Sequence, residues 1–262
     1  MKYIDNENFK GKKVLVRVDY NVPLNDLFEV TDVTRIERTK KTVSKIVNDG
    51  GIAILMSHLG RPKGEANEKF SLEHIIKRSS EVLGKNVIFL GDVLSDDVEK
   101  KVNALKPGDV GLLENLRFHK GEEKGDVEFA KAIARLGDVY VNDAFGTAHR
   151  EHASTATIVK FFPSQSYAGY LLYEEVTNLE KVLSNAKSPF TAIIGGSKVS
   201  TKLNIILNLL DRVDSLIIAG GMSYTFLHSL GVKIGNSIFE PDMVDMAKEI
   251  VSKAHLKGVD LY

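Results

Sequence analysis

The chain has 262 residues, 43% of them hydrophobic, and it contains no cysteine. This length and composition are enough to bury a substantial core, as one large domain or as two of ordinary size. Its 35 Lys and Arg residues balance 35 Asp and Glu residues, so a nucleic-acid partner is not expected. Without cysteine there is no disulfide framework and no thiolate chemistry, which favours an intracellular, reducing compartment.

The first residues and the apolar runs indicate neither export nor membrane insertion. Residues 1–13, MKYIDNENFKGKK, lack an apolar h-region. No apolar run approaches the ~18 residues that a membrane span requires. We therefore expect a cytoplasmic protein with no membrane partner.

The first half of the sequence alternates short apolar runs with segments of helical period. Strands are predicted over residues 14–18, 52–56, 87–90, 110–113 and 139–141. Helices are predicted between them over residues 34–48, 71–83, 95–105 and 127–136. Ser71 is the expected N-cap of the second of these helices. Strands and helices that alternate at this spacing predict right-handed crossovers and a parallel sheet.

The sequence changes character after Ala153, and the aromatic and polar residues 161–169 predict a domain boundary. One amphipathic helix over residues 171–183 follows, and then a second series with strands at 191–194, 215–218 and 259–262. In this series one helix is predicted after residue 202 up to residue 210 and another over residues 242–257. We predict an α/β fold of two Rossmann-like parallel-sheet domains, with residues 1–168 as the N-terminal domain, 169–187 as an interdomain helix and 188–262 as a C-terminal domain. The last is expected to be incomplete, because the sequence stops on the first residues of a strand.

Polar and cationic side chains follow the predicted strands at their carboxyl ends. They are Asp19, Asn21, His58, Arg61, Arg117, His149 and Arg150, with Arg35 at the start of the first helix. Parallel strands bring these ends to one edge, where open α/β sheets bind ligands. A single arginine is more often a solvated surface charge, but four arginines at one edge would repel one another unless an anion lay among them. Guanidinium groups suit phosphate and carboxylate, so we predict a small, multiply charged anion with a hydroxyl for Asp19 and Asn21.

A second candidate site is GGSKVSTK at residues 195–202. Its two glycines allow a ligand close to the backbone, and Lys198 and Lys202 are expected one turn apart on one face of the following helix. The stretch is not a Walker A loop, because Thr201 precedes the second lysine, and no G-x-G-x-x-G follows a strand. A glycine turn with two solvated lysines explains this stretch equally well. Gly220 and Gly221 after the next strand offer a second loop of close approach.

Two other pairs are assigned to structure rather than chemistry. His149 and His152 stand three residues apart, but no third ligand of suitable type is nearby, so a zinc site is not expected. Asp143 and Glu114 stand at strand ends, where hydrogen bonds to neighbouring loops are the expected role.

Several long motifs resemble phosphoglycerate kinases, in fixed order and from the first strand to the last residue. They are RVDYNVP at 17–23, TRI at 34–36, SHLGRPKG at 57–64, LLENLRFHKGEE at 112–123, VNDAFGTAHREHAS at 141–154, GGSKVSTK at 195–202 and IIAGGMSYTFL at 217–227. Tyr20, Glu151 and Ala219 depart from the residues usual in that family, and none of them is a proposed ligand group.

The resemblance implies two ligand sites. Residues implied to hold 3-phosphoglycerate or 1,3-bisphosphoglycerate are Asp19, Asn21, Arg35, His58, Leu59, Gly60, Arg61, Arg117 and Arg150. Residues implied to contact ATP or ADP are Gly195, Gly196, Lys198, Lys202, Gly220 and Gly221. Arg35 and Lys198 are the expected catalytic cations, and Lys198 would follow the transferring phosphoryl group.

The implied reaction is reversible phosphoryl transfer between 1,3-bisphosphoglycerate and ADP in glycolysis, giving 3-phosphoglycerate and ATP, with Mg2+ accompanying the nucleotide. The family's later segment, which carries a Gly-Gly-Gly-Asp loop near the nucleotide phosphates and the metal, has no counterpart among these residues. We therefore expect no metal ligand in this chain, and we expect a truncated chain that is inactive alone. A monomer whose domains close about the helix over 171–183 is also expected.

Two alternatives stay open at this point. A fragment or degenerate homologue could bind phosphoglycerate without transferring a phosphoryl group. A nicotinamide dehydrogenase is disfavoured, because the dinucleotide fingerprint is absent.

Overall fold

The structure is a computed structural model that describes residues 2–262, apart from the side chains of residues 183–185. It divides into two compact units, the first running to Thr177 and the second from Asn178 to Tyr262. Met1, the first residue of the predicted N-terminal domain, lies outside the described residues. Each unit contains a parallel sheet with helices, as the alternation of strands and helices predicted.

The first unit is built on six parallel strands in the order β3-β4-β2-β1-β5-β6. The strands are β1 (Lys13–Arg17), β2 (Ile52–Met56), β3 (Val87–Gly91), β4 (Val110–Leu113), β5 (Val139–Asn142) and β6 (Ser166–Ala168). Five of them match predicted strands to within a residue or so, whereas β6 lies where only a domain boundary was expected. Because β1 pairs with β2 on one side and β5 on the other, the loops after β1 and β5 leave the middle of the sheet.

Seven α-helices accompany these strands. They are α1 (Thr34–Glu37), α2 (Lys40–Asn48), α3 (Ile76–Leu83), α4 (Val98–Ala104), α5 (Lys120–Glu123), α6 (Val127–Ala134) and α7 (Tyr170–Asn185), and the boundary between the two units falls within α7. The single helix expected over 34–48 is interrupted at Thr39, whose buried hydroxyl donates to the carbonyl of Ile36 at 2.8 Å. The hydroxyl of Tyr20 lies 2.9 Å from the Thr39 oxygen, and such local side-chain bonds compete with helical ones.

The predicted helix over 71–83 begins as a 3-10 turn at Leu72–Ile75 before it becomes α3. Ser71 caps this turn, as predicted, because its hydroxyl accepts the backbone N–H of Glu73 at 3.1 Å. Most of the strands between these helices are buried on both faces. Val14 and Val16 of β1 pack with α1, α2 and α3, whereas Leu15 packs with α4 and α6. Alternate side chains of a strand point to opposite faces, so the sheet has helices on both sides.

Among the described residues, the second unit contains the end of α7, three parallel strands in the order β7-β8-β9 and three further helices. They are β7 (Thr191–Gly195), α8 (Leu203–Leu209), β8 (Ser215–Ala219), α9 (Met222–Ser229), α10 (Val244–Leu256) and β9 (Asp260–Leu261). The core places Ile194 and Ile218 of the sheet against Met222, Phe226 and other helix residues. No helix among the described residues is long and apolar enough to span a membrane.

Candidate active site

A polar cavity of about 630 Å3 lies over the carboxyl ends of the four adjacent strands β4, β2, β1 and β5. It is lined by Asp19, Asn21, Arg35, His58, Gly60, Arg61, Arg117, Glu123, Gly146, Thr147 and Arg150. Each strand therefore contributes residues from the loop that follows it. The four arginines whose convergence the sequence predicted face one cavity, which we call the arginine cavity.

One residue of the implied acid-binding set does not line this cavity. Leu59 is only 3% exposed and its side chain belongs to the hydrophobic core of the first unit. Its carbonyl accepts a hydrogen bond from the Asn115 side chain at 2.8 Å. The side chain of Leu59 therefore packs in the core beneath the loop, and its contact with the ligand stays a prediction. Glu123, Gly146 and Thr147 line the cavity although the sequence did not single them out.

The arginines are not all unpaired, as the sequence-based reasoning assumed. Arg35 forms a salt bridge and a hydrogen bond with Asp19. Arg117 lies 3.4 Å from a carboxylate oxygen of Glu123 and donates to the carbonyl of Gly60 at 3.1 Å. Among the described residues, no carboxylate lies within ion-pair distance of Arg61 or Arg150. Four guanidinium groups against two carboxylates leave the cavity cationic, although less so than four free arginines would.

Two loops of the cavity are joined through Asn21 and Gly60. The side-chain oxygen of Asn21 accepts the backbone N–H of Gly60 at 2.8 Å. Gly60 has a φ of +62°, and a β-carbon there would lie 2.4 Å from the ring of Phe70. A positive φ and so close a neighbour both require glycine. The loop after β2 can therefore take this path only with glycine at position 60.

His58 lies behind the arginines and is only 4% exposed. Its Nδ1 atom lies 3.2 Å from a terminal nitrogen of Arg17, the last residue of β1. Burial, together with repulsion by Arg17 and by three of the cavity arginines, lowers the pKa of His58 to about 2. These three are Arg117, Arg35 and Arg150. The imidazole is therefore neutral at physiological pH, and any ligand contact it makes is that of a neutral ring.

The glycine loops of the second unit also converge. Gly195 pairs with Ala219 across β7 and β8, and the carbonyl of Gly196 accepts the backbone N–H of Met222 at 2.9 Å. Gly220 has a φ of +74°, and a β-carbon there would lie 2.9 Å from the Gly196 carbonyl oxygen. The structure thus brings together the implied nucleotide-contacting glycines, Gly195, Gly196, Gly220 and Gly221, at the carboxyl ends of adjacent strands.

The expectation that Lys198 and Lys202 lie one turn apart on a helix is wrong. Both precede α8, and the backbone N–H of Lys202 donates to the carbonyl of Val199 in a turn. Ser200 is held from outside this turn, since Glu240 accepts its N–H at 3.1 Å and its hydroxyl at 2.6 Å. These side-chain bonds compete with the hydrogen bonds of a helix. The loop therefore includes both lysines, and α8 begins only at Leu203.

No group of three or more His, Cys, Asp or Glu side chains among the described residues could hold a metal ion. His149 is exposed and does not line the arginine cavity, and His152 lies 3.9 Å from a carboxylate oxygen of Glu122.

Comparison with known proteins connects this geometry to a family. The family model described as phosphoglycerate kinase matches residues 4–262. The chain belongs to the phosphoglycerate kinase family. Phosphoglycerate kinase from Porphyromonas gingivalis is 50% identical to it, over 98% of this chain and 67% of the relative. Phosphoglycerate kinase from Thermosipho africanus is 48% identical, over 97% of this chain and 62% of the relative.

Solved structures of phosphoglycerate kinases have the same fold. The structure from Coxiella burnetii is 39% identical, with a TM-score of 0.87, and the match covers 99% of this chain and 65% of that one. The structure from Pyrococcus horikoshii is 26% identical, with a TM-score of 0.82, and the match covers 100% of this chain and 67% of that one. The chain thus spans about two thirds of the length of the phosphoglycerate kinases that it matches.

Proposed function

We propose that the first unit of this chain binds 3-phosphoglycerate or 1,3-bisphosphoglycerate in the arginine cavity. The observation that carries the proposal is the convergence of Arg35, Arg61, Arg117 and Arg150 on one polar cavity with two uncompensated positive charges. Membership of the phosphoglycerate kinase family supports the identity of the ligand.

The chemistry of 3-phosphoglycerate is complementary to this cavity. Its phosphate carries a charge close to −2 at neutral pH, since the second pKa of a phosphate monoester is about 6. Its carboxylate adds a further negative charge, and its hydroxyl can bond to Asp19 or Asn21. Arg61 and Arg150 have no carboxylate partner among the described residues, so they are available for a bidentate contact with the anion.

We propose further that the chain takes part in reversible phosphoryl transfer between 1,3-bisphosphoglycerate and ADP, with the cytoplasm as its compartment. The acceptor in the ATP-consuming direction is a carboxylate, which is ionised at neutral pH because its pKa is about 4. It can attack the γ-phosphorus without a general base. What the transfer requires is in-line positioning and positive charge around the equatorial oxygens of the phosphoryl group, and Arg35 and Lys198 are the proposed sources of that charge.

The proposed nucleotide site is formed by the glycine loops of the second unit. At Gly195 and Gly196 a β-carbon would meet no atom closer than 3.6 Å, so the backbone there is open to a ligand. Lys198 and Lys202 follow these two glycines in the same loop. Magnesium accompanies the nucleotide in this reaction. The described residues form no cluster that fits a metal ion, so the proposal assigns it no ligand here.

Isothermal titration of the chain with 3-phosphoglycerate tests the acid site. We expect Arg61→Ala and Arg150→Ala each to weaken binding by about tenfold or more, the worth of a hydrogen bond to a charged group. The matched control is Arg78→Ala, which removes an exposed arginine that pairs with Glu81 away from the cavity. A folded chain that does not bind 3-phosphoglycerate, or that loses affinity equally in all three variants, contradicts the proposal.

A coupled assay of the same chain distinguishes an enzyme from a binding module. The catalytic assignment is supported if the chain turns over and if Arg35→Ala and Lys198→Ala each lower the turnover rate by orders of magnitude. A chain that binds both 3-phosphoglycerate and Mg-ATP but transfers no phosphoryl group between them is a binding module for these ligands.

A further inference from the structure

Arg17 is a fully buried arginine that does not line the arginine cavity, yet it contacts a residue that does. It ends β1 and is 0% exposed. Its Nε donates to the hydroxyl of Ser154 at 2.8 Å, and one terminal nitrogen donates to the carbonyl of Val18. The other terminal nitrogen lies 3.2 Å from Nδ1 of His58. All three guanidinium nitrogens are therefore engaged.

A buried carboxylate that does not line the cavity completes this arrangement. Glu122 of α5 is 0% exposed. One of its oxygens accepts the hydroxyl of Ser154 at 2.6 Å, and the other accepts the Ser154 backbone N–H at 3.0 Å. The hydroxyl thus receives a hydrogen bond from Arg17 and donates one to Glu122. Glu122 thus provides a buried negative charge one hydroxyl away from Arg17, and the hydrogen bonds of Arg17 fix the plane of its guanidinium group.

The contact with His58 determines where the proton of the imidazole lies. A guanidinium group has five N–H donors and no acceptor, and it does not lose a proton in proteins. Nδ1 of His58 must therefore accept the hydrogen bond, which leaves Nε2 to carry the proton of the neutral ring. Nε2 has no hydrogen-bond partner among the described residues, while the ring lines the cavity.

Positive charges on several structural elements disfavour protonation of the His58 ring. The cationic groups that act on His58 are Arg17 from β1, Arg35 from α1, Arg117 from the turn after β4, and Arg150 from the loop after β5. The protonated ring would also lose the acceptor that Arg17 uses. His58 is therefore a neutral donor among cations.

We propose that Arg17 is a positioning residue, which holds His58 in the Nε2–H tautomer so that the ring presents one neutral donor to an anion in the arginine cavity. Ser154 and Glu122 act one step further back by fixing the orientation of Arg17. The tautomer follows from the contacts of the chain alone, whereas its use in binding 3-phosphoglycerate rests on the proposed function.

The first test is made on the unaltered chain without ligand. Long-range 1H–15N correlation spectra at pH 7 report the tautomer of each histidine ring, and the His58 signals are identified by their loss in His58→Gln. We expect a single neutral form with the proton on Nε2. A proton on Nδ1, an average over both tautomers, or an imidazolium ring would overturn the proposal, whether or not 3-phosphoglycerate binds.

The second test removes the donor. In Arg17→Met we expect the His58 ring to average over both tautomers, and the dissociation constant for 3-phosphoglycerate to rise about tenfold. The matched control is Tyr20→Phe, which deletes another fully buried polar group that contacts Thr39 and not His58, and which should change neither readout. If Arg17→Met does not fold, the spectrum of the unaltered chain still decides. A folded Arg17→Met that keeps the pure Nε2–H form would refute the role of Arg17.

Discussion

A β-carbon at Gly169 would lie 2.3 Å from the Oδ1 atom of Asp143. Asp143 follows β5 directly, is fully buried, and accepts the backbone N–H groups of Leu171 at 2.9 Å and Leu172 at 3.2 Å. Its carboxylate therefore caps the first turn of α7, where unpaired N–H groups favour negative charge. The glycine is required because this cap occupies the space that any side chain at position 169 would need.

Gly169→Ala should destabilise the first unit by about 1–3 kcal/mol, the usual cost of forcing extra atoms into a packed site. The Asp143 carboxylate cannot easily move away from the new β-carbon, because two N–H groups of α7 hold it. Urea unfolding followed by circular dichroism measures the change. The control is Gly146→Ala in the same unit, where the nearest atom to a β-carbon is 3.5 Å away. Equal stabilities of the two variants would contradict the predicted clash.

Asp143 should also make the stability of the first unit depend on pH. Burial raises the pKa of Asp143 from 3.8 to about 6. The folded state therefore holds this proton more tightly than the unfolded state, and the contribution of Asp143 to stability falls as the pH rises from about 4 to about 6. Asp143→Asn cannot ionise but keeps the Oδ1 acceptor for α7.

We therefore expect the free energy of unfolding of Asp143→Asn, relative to the unaltered chain, to increase by up to about 3 kcal/mol between pH 4 and pH 7. The test is the change with pH and not the absolute difference, because the new amide also has to find a partner. Urea unfolding at several pH values gives both curves. Parallel curves over this range would show that the cap does not titrate as described.

The strands could be predicted from the sequence because most are buried on both faces. All five residues of β2 are buried, and such strands appear as unbroken apolar runs. β6 was missed because its three residues form no such run. The helix α9 was missed because its residues, MSYTFLHS, include several with only modest helix propensity. Its position is set instead by the glycine turn before it and by burial of Met222 and Phe226 in the core.

The arginine cavity was predictable because its residues follow strand ends, and strand ends of a parallel sheet meet. No comparable sequence pattern predicts the role proposed for Arg17. An arginine within an apolar run does not show which way it points, and its partner Ser154 is 137 positions away. The loop with Lys198 and Lys202 was misjudged for the same kind of reason, since Glu240, which holds Ser200, lies 40 positions further on.

Glu122 and Arg17 should be energetically coupled through Ser154. Glu122→Gln leaves the buried guanidinium group without its counter-charge, and we expect a loss of about 3 kcal/mol in the free energy of unfolding. Arg17→Met should cost a similar amount, because it leaves the buried carboxylate uncompensated. The double variant should be more stable than the sum of the two losses predicts, since neither charge remains buried alone. A double-mutant cycle by urea unfolding measures this coupling, and additive losses would exclude it.

The salt bridge between Asp19 and Arg35 should weaken binding of simple anions to the arginine cavity. Asp19→Asn removes a negative charge from the cavity and releases Arg35, while the new side chain can still accept the N–H of Asn21, which lies 3.2 Å from the Asp19 carboxylate. Two unit charges at contact distance interact by about 1 kcal/mol even in water. We therefore expect inorganic phosphate to bind the variant several-fold more tightly.

The same substitution should increase the affinity for 3-phosphoglycerate less than the affinity for phosphate. The reason is that 3-phosphoglycerate also loses a charged acceptor for its hydroxyl. The ratio of the two affinities, measured by titration at low and at high salt, separates the hydroxyl contact from the general electrostatic gain, which salt screens. Glu81→Gln removes an exposed carboxylate that pairs with Arg78 outside the cavity, and it should change neither affinity. If Asp19→Asn tightened both ligands equally, Asp19 would act only through its charge on Arg35, and its proposed contact with the hydroxyl would be wrong.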